Sequence, residues 1–129
     1  MLAIDTNLVV RYLTGDHPEQ SAIARLVIDE NSVFIATTVL LETEWVLRSV
    51  YGFSSPACVK ALARFAGLPN VALEDPTRAA RALAWSAEGL DFADALHLAA
   101  AAACEAFVSF DKRFIKAAEA IHNPIVRAP

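Results

Sequence analysis

The sequence predicts an α/β domain of three layers, a short and mostly parallel central sheet between two layers of helices. Short, largely apolar runs at residues 1–4, 33–36, 70–73, 106–110 and 124–126 have the length of buried strands. Between them lie segments with apolar residues at three- and four-residue spacing, the pattern of helices that cover both faces of a parallel sheet. With 129 residues, 56% of them hydrophobic, the chain has material for a single packed domain over residues 1–129 without disulfides. Intrinsic disorder is excluded on the same count.

The elements follow in order. Residues 1–4 read as a first strand that stops at the polar turn Asp5-Thr6-Asn7, and helical spacing resumes over residues 8–14. Pro18 suits the first turn of a helix over residues 19–30, which has Ile23, Leu26 and Val27 at three- and four-residue intervals. A second strand, residues 33–36, leads to Thr37 or Thr38 as the cap of a helix that runs to about Tyr51 and stops at Gly52. Ser54 or Ser55 with Pro56 opens another helix ending near Gly67, so that these two form a hairpin. Residues 70–73 are a weaker third strand, followed by a helix from Pro76 to about Ala87. Asp91 opens an alanine-rich helix reaching about Glu105; residues 106–110 form a fourth strand, residues 111–121 a last helix and residues 124–126 a short final strand.

Charge and cysteine content narrow the function. Eleven Lys and Arg against 15 Asp and Glu leave a formal charge of -4, which excludes nucleic-acid binding through a broad basic surface. Cys58 and Cys104, 46 residues apart and without Cys or His at ligand spacing, indicate neither zinc nor a disulfide; both are expected to be buried thiols in a reducing cytoplasm. Asp5 leaves no room before it for a signal peptide, and no apolar run approaches the ~20 residues of a membrane span. The expectation is a cytoplasmic protein with no membrane role.

The informative pattern is where the acids fall. Asp5 follows the first strand, Glu42 lies early in the helix after the second, Asp91 and Asp94 open the alanine-rich helix, and Asp111 follows the fourth strand. In a parallel sheet the strand C-termini share one edge, where the following helices begin and ligands usually bind. Carboxylates gathered there repel, by about 4 kcal/mol for a pair about 4 Å apart at an effective dielectric of ~20, and so call for cations. An oxygen-only donor set favours Mg2+, or Mn2+, over zinc.

Each acid also has a plainer explanation. Asp5, Asp91 and Asp111 are all good helix caps, with Asp94 three residues after Asp91 in a capping-box position. Glu42, whose neighbours at three and four residues include Val39, Trp45 and Val46, is expected to point along an apolar face, where an acid needs a reason to be. Glu44, with Arg48 four residues on, reads as half of a surface ion pair. Trp45, Trp85 and His97 read as core or interface residues, His97 with a possible supporting role behind Asp94. Of Arg11, Arg48, Arg64, Lys112, Arg113 and Lys116, only Lys112 and Arg113 stand near the acids in sequence as candidates to meet a nucleic-acid backbone.

Ile4-Asp5-Thr6-Asn7, Leu40-Leu41-Glu42, Asp91-Phe92-Ala93-Asp94-Ala95-Leu96-His97 and Ser109-Phe110-Asp111-Lys112-Arg113-Phe114 together resemble the PIN domain, and most closely the VapC-type toxins of toxin–antitoxin pairs. The resemblance runs over essentially the whole chain, with its motifs in the right order. It implies a metal-dependent endoribonuclease whose acidic quartet falls on Asp5, Glu42, Asp94 and Asp111, with Asp5, Asp94 and Asp111 holding Mg2+. Asp91 matches a frequent additional acid, and Thr6, Asn7 and Ser109 match polar residues that orient the quartet. The resemblance further implies a homodimer, a cognate antitoxin that inhibits the enzyme, and contact with DNA only through that antitoxin.

Two other folds with acids at strand ends fit less well. A signalling receiver domain needs a second acid after its first strand and a Lys after its last, and neither is present. A haloacid-dehalogenase-like phosphatase needs an Asp two residues after the first, where this chain has Asn7. The non-enzymatic alternative is a PIN-like module that binds RNA or protein without cutting. Setting the quartet aside leaves 11 acids against 11 basic residues, so the whole formal excess can be assigned to the expected site.

Overall fold

Strand formation follows the apolar runs, trimmed at their ends. In the computed structural model, which describes residues 1–129, β1 (Leu2–Ala3), β2 (Val33–Ile35) and β3 (Val71–Leu73) form a parallel sheet in the order β1-β2-β3, flanked by helices. The central strand carries the burial: Val33 and Ile35 are wholly inaccessible, whereas both residues of the edge strand β1 are exposed. The helices of this part are α1 (Thr6–Thr14), α2 (Pro18–Glu30), α3 (Thr37–Ser49) and α4 (Ser55–Ala66). The chain divides into two compact units, and these elements make up the first, Met1–Pro76. Thr77–Pro129 is the second, with α5 (Pro76–Ala87), α6 (Phe92–Ala100), β4 (Ala106–Val108), α7 (Lys112–Ala117) and β5 (Ile125–Arg127). Here β4 and β5 pair with each other, again in parallel. The expected parallel strands are thus present, hydrogen-bonded as a three-stranded and a two-stranded ladder rather than one.

In the first unit α1 ends at Gly15, whose φ of 63° is open to glycine at little cost, and the chain turns into α2. The face that α2 buries is not the one that carries Ile23 and Leu26. Ser21, Ala24 and Ile28 are buried, while Ile23 and Leu26 are 60% and 57% exposed. The reason is close approach: α1 packs on α2, and small residues at 21 and 24 let the helices meet, with the Ser21 hydroxyl donating to the Arg11 carbonyl at 2.9 Å. The α3–α4 hairpin forms as expected, with Ser54 capping α4 through the Ala57 N–H and with Cys58, Leu62 and Phe65 buried. Each such side chain contributes about 1.5–3 kcal/mol through burial.

The second unit has its own apolar centre, including Leu83, Phe92, Leu96, Leu98 and Phe114. Phe107 meets Phe114 edge-on at 5.3 Å between ring centroids. The alanine-rich helix stops at Ala100 instead of near residue 105, and residues 101–105 turn back toward β4. Alanine favours helix, but it offers little bulk to bury, and the ladder of Ala106 with Ile125 decides where the chain must go. Cys104 lies in this turn and is exposed, contrary to expectation, whereas Cys58 is buried as expected. No helix is long and apolar enough to cross a membrane.

Candidate active site

In the first unit the site begins where β1 gives way to α1. The Ile4 N–H still reaches the Phe34 carbonyl at 3.3 Å, and one residue later Asp5 caps α1, its Oδ1 accepting the Leu8 N–H at 3.2 Å. That bond occupies one carboxylate oxygen and leaves Oδ2 without an internal partner. Thr6 follows, buried, and its hydroxyl donates to Glu42 Oε1 in a short hydrogen bond that ties the start of α1 to α3. Asn7 is exposed in the first turn. With Asp5, Leu8, Arg11, Ile23 and Val27 it lines a groove of about 320 Å³ along α1 and α2.

Glu42 and Glu44 exchange the environments expected of them. Glu42 is exposed, and Glu44 is buried at 4% accessibility, paired with Arg48 Nε at 2.9 Å. Two residues along a helix turn the side chain by about 200°, so one of the two faces the interior when the other faces out. The sequence did not separate the two, since each has three apolar residues among its four neighbours at three and four residues: Val39, Trp45 and Val46 for Glu42, Leu40, Leu41 and Leu47 for Glu44. The i,i+4 pair with Arg48 forms as expected, but as a largely buried one. Trp45, expected in the core or at an interface, is not in the core and is 55% exposed. Neither Thr37 nor Thr38 caps α3. The cap position is Ala36, and Glu74 just beyond β3 supplies the acceptor, its Oε1 taking the Thr37 N–H at 2.9 Å. Such a cap from a residue 37 positions away leaves no local trace in sequence.

The second unit holds the other acids. Asp91 caps α6, with Oδ2 accepting the Asp94 N–H at 3.1 Å, and Asp111 caps α7, with Oδ1 accepting the N–H groups of Arg113 and Phe114 at 3.0 and 3.1 Å. Ser109 orients this cap, since its Oγ accepts the Asp111 N–H at 3.0 Å. Asp94, in the first turn of α6, is half-buried. Burial pushes its carboxyl above the ordinary value of 3.8, the negative charges of Asp91 and Asp111 push it further, and His97 pulls it down. His97, expected in the core or at an interface, is itself exposed.

No three His, Cys, Asp or Glu side chains gather at metal-ligand spacing. Mg2+ asks for less, one or two carboxylates with water in the remaining positions. The donors around Asp94 are carboxylate oxygens whose mutual repulsion is the largest influence on it after burial, which fits a hard divalent cation. Among the basic candidates, Arg11 is engaged with Asp16, Tyr51 and Gln20, and Arg48 with Glu44, whereas Lys112, Arg113 and Lys116 are exposed on and beside α7.

No curated protein and no solved structure matches the chain. The family model for the PIN domain matches residues 2–120, a span that runs through both units and contains Asp5, Glu42, Asp91, Asp94 and Asp111. The chain therefore belongs to the PIN domain family, whose members are typically Mg2+-dependent nucleases.

Proposed function

We propose that this protein is a Mg2+-dependent endoribonuclease acting through Asp5, Glu42, Asp94 and Asp111, and that it is the toxin of a type II toxin–antitoxin pair. Membership of the PIN family supports the nuclease reading, and the match across both units supports treating residues 1–129 as one functional domain. The observation that carries it is the state of Asp94, a half-buried carboxylate raised by burial and by two further acids, a charge arrangement that a divalent cation would relieve. The toxin role rests on the likeness of the four motifs, as do the antitoxin, the homodimer and a cytoplasmic location.

A bound divalent cation would supply charge neutralisation at the phosphate and activation of a water. The residues contribute the rest. Asp5, Asp94 and Asp111 are the acids we assign to the cation, Asp94 and Asp111 directly or through water; the caps at Asp5 and Asp111 each commit one oxygen to backbone and leave the other for that role. Glu42, exposed and hydrogen-bonded by the Thr6 hydroxyl, would help to position the attacking water or take its proton. Hydrolysis in this sense leaves a 5′-phosphate and a 3′-hydroxyl.

Incubation of mixed RNA with the protein, freed of any antitoxin, tests the reading. Cleavage that requires Mg2+, is stopped by chelator, leaves 5′-phosphate ends and is lost in Asp5→Asn is the expected result. No chelator-sensitive cleavage across a broad RNA panel would instead make the protein a binding module of the PIN fold. A co-purifying small DNA-binding protein that suppresses cleavage checks the toxin assignment.

A further inference from the structure

We propose that Trp45, near Glu42, and Phe110, next to Asp111, are each a stacking platform for an unpaired RNA base of the substrate. This rests on the ribonuclease reading for its substrate. It is carried by where the exposed aromatic rings fall. Phe65 and Phe92 are almost fully buried, Tyr12 and Phe65 meet at 5.7 Å, Phe107 and Phe114 meet edge-on, and Trp85 lies under the Arg81 guanidinium. Trp45 and Phe110 alone among the aromatic residues are exposed, at 55% and 88%. Each neighbours a different acid of the proposed quartet.

Trp45 stands three residues after Glu42 on α3, and residues so spaced share a helix face. That face is exposed at Thr38, Glu42, Trp45 and Ser49, while Leu40, Thr43, Glu44 and Leu47 are buried. The indole is therefore presented on the same outward stripe as the carboxylate. Phe110 directly precedes Asp111, and the Ser109 hydroxyl that accepts the Asp111 N–H pins the backbone on either side of it. In both places the main chain is held and the ring is left open to solvent, which is what a stacking surface requires.

Charge points the same way. Outside the quartet the formal charge is balanced, so strong binding to the RNA backbone by counterion release has little to draw on. Stacking of bases on aromatic rings needs no net charge and tolerates sequence variation. Its substrate must offer unstacked bases, as a single strand or loop does and a duplex does not. Binding should accordingly depend only weakly on salt.

The test combines kinetics with fluorescence. Cleavage of a single-stranded oligoribonucleotide in Mg2+ is compared for the wild type, Trp45→Ala, Trp45→Phe and Phe110→Ala. We expect KM to rise about tenfold in each alanine variant with kcat changed far less, and Trp45→Phe to restore most of the loss. In parallel, a Trp85→Phe background leaves Trp45 as the one indole of the two in the chain. Its emission, read in Ca2+, should be quenched by the single strand and not by the same sequence annealed to its complement. Unchanged KM in both alanine variants, or equal quenching by duplex, overturns the proposal. So does conversion of a dimer to a monomer by Trp45→Ala at unchanged KM, which would assign the indole to contact between copies. If the wild type cuts no RNA but the single strand still quenches Trp45, stacking stands and the nuclease reading falls.

Discussion

Asp16 in the first unit and Asp94 in the second live under opposite electrostatic conditions. In the first, each noteworthy carboxylate has a partner: Glu42 the Thr6 hydroxyl, Glu44 the Arg48 guanidinium, Glu74 the Thr37 N–H, and Asp16 the groups of Tyr51, Thr14 and Arg11. Tyr51 and Thr14 hydrogen bonds hold Asp16 below its ordinary value of 3.8. In the second, Asp94 is raised, and its acidic neighbours are part of the cause. The difference teaches that these acids are not interchangeable: Glu44, Glu74 and Asp16 are paired within the first unit, whereas Asp94 sits among like charges that oppose its ionisation. That crowding is what a cation would relieve under the proposed function.

Neutralising Asp94 should break that contrast most visibly. Asp94→Asn is expected to lower Mg2+-dependent cleavage by about 10²- to 10³-fold. The same substitution should raise the melting temperature of the chelator-treated protein, on the order of 3 °C for each kcal/mol of repulsion removed. Loss of activity with a lower melting temperature would instead mean that Asp94 supports the fold. Next in size is Arg48→Ala, which leaves the Glu44 carboxylate buried without its guanidinium. Fully buried pairs lose about 3–5 kcal/mol in this way, and because the Arg48 side chain is 38% exposed we expect about 2 kcal/mol by denaturant unfolding. Glu42→Ala, on the exposed face of the same helix, should cost about 1 kcal/mol, chiefly through the Thr6 hydroxyl left unpaired, while cleavage falls sharply. Equal stability losses in these two variants would erase the distinction drawn between the faces.

A smaller effect is expected at Thr6. Thr6→Val keeps the shape of the buried side chain and removes the hydroxyl that orients Glu42, so cleavage should fall about 10-fold with the fold intact. Unaltered kinetics would reduce that hydrogen bond to a structural tie. The pH dependence sharpens the comparison with the least perturbation. A carboxyl with a raised value in the folded state binds its proton more tightly there. The metal-free protein should therefore carry a penalty from Asp94 above that raised value, relieved as pH falls through it. Asp16 has the opposite sign: its contribution is present above 3.8 and is lost as pH falls through its lowered folded value. Melting curves in chelator should show Asp94→Asn losing the first dependence and Tyr51→Phe weakening the second.

Much of this was legible along the chain because it is local. Asp5, Asp91, Asp111 and Ser54 cap helices where cap chemistry placed them, and Pro18 and Pro76 open helices as their missing N–H groups allow. The alternation of short apolar runs with helical spans was enough for the α/β class and for parallel pairing. The order of the acids along those elements was enough for the family resemblance. Each inference needs only neighbours within about four residues, and backbone geometry determines what those neighbours can do.

The orientation of each helix was a different matter. Helical periodicity establishes that Glu42 and Glu44 face apart, but not which of them looks inward, because that is chosen by what the helix packs against. The same choice put Ser21 and Ala24 in the interior in place of Ile23 and Leu26, and brought Trp45 out to solvent. Close approach between helices rewards small side chains over larger apolar ones. The cap on Thr37 from Glu74, the early end of α6 and the burial of Asp94 likewise depend on groups distant in the chain or on its return path. Residue types and spacing thus determined which side chains carry charge and where along the elements they lie. Only tertiary packing decided which of those charges are paired, which remain exposed and which are crowded by like charge, since burial depends on every element that comes to rest nearby.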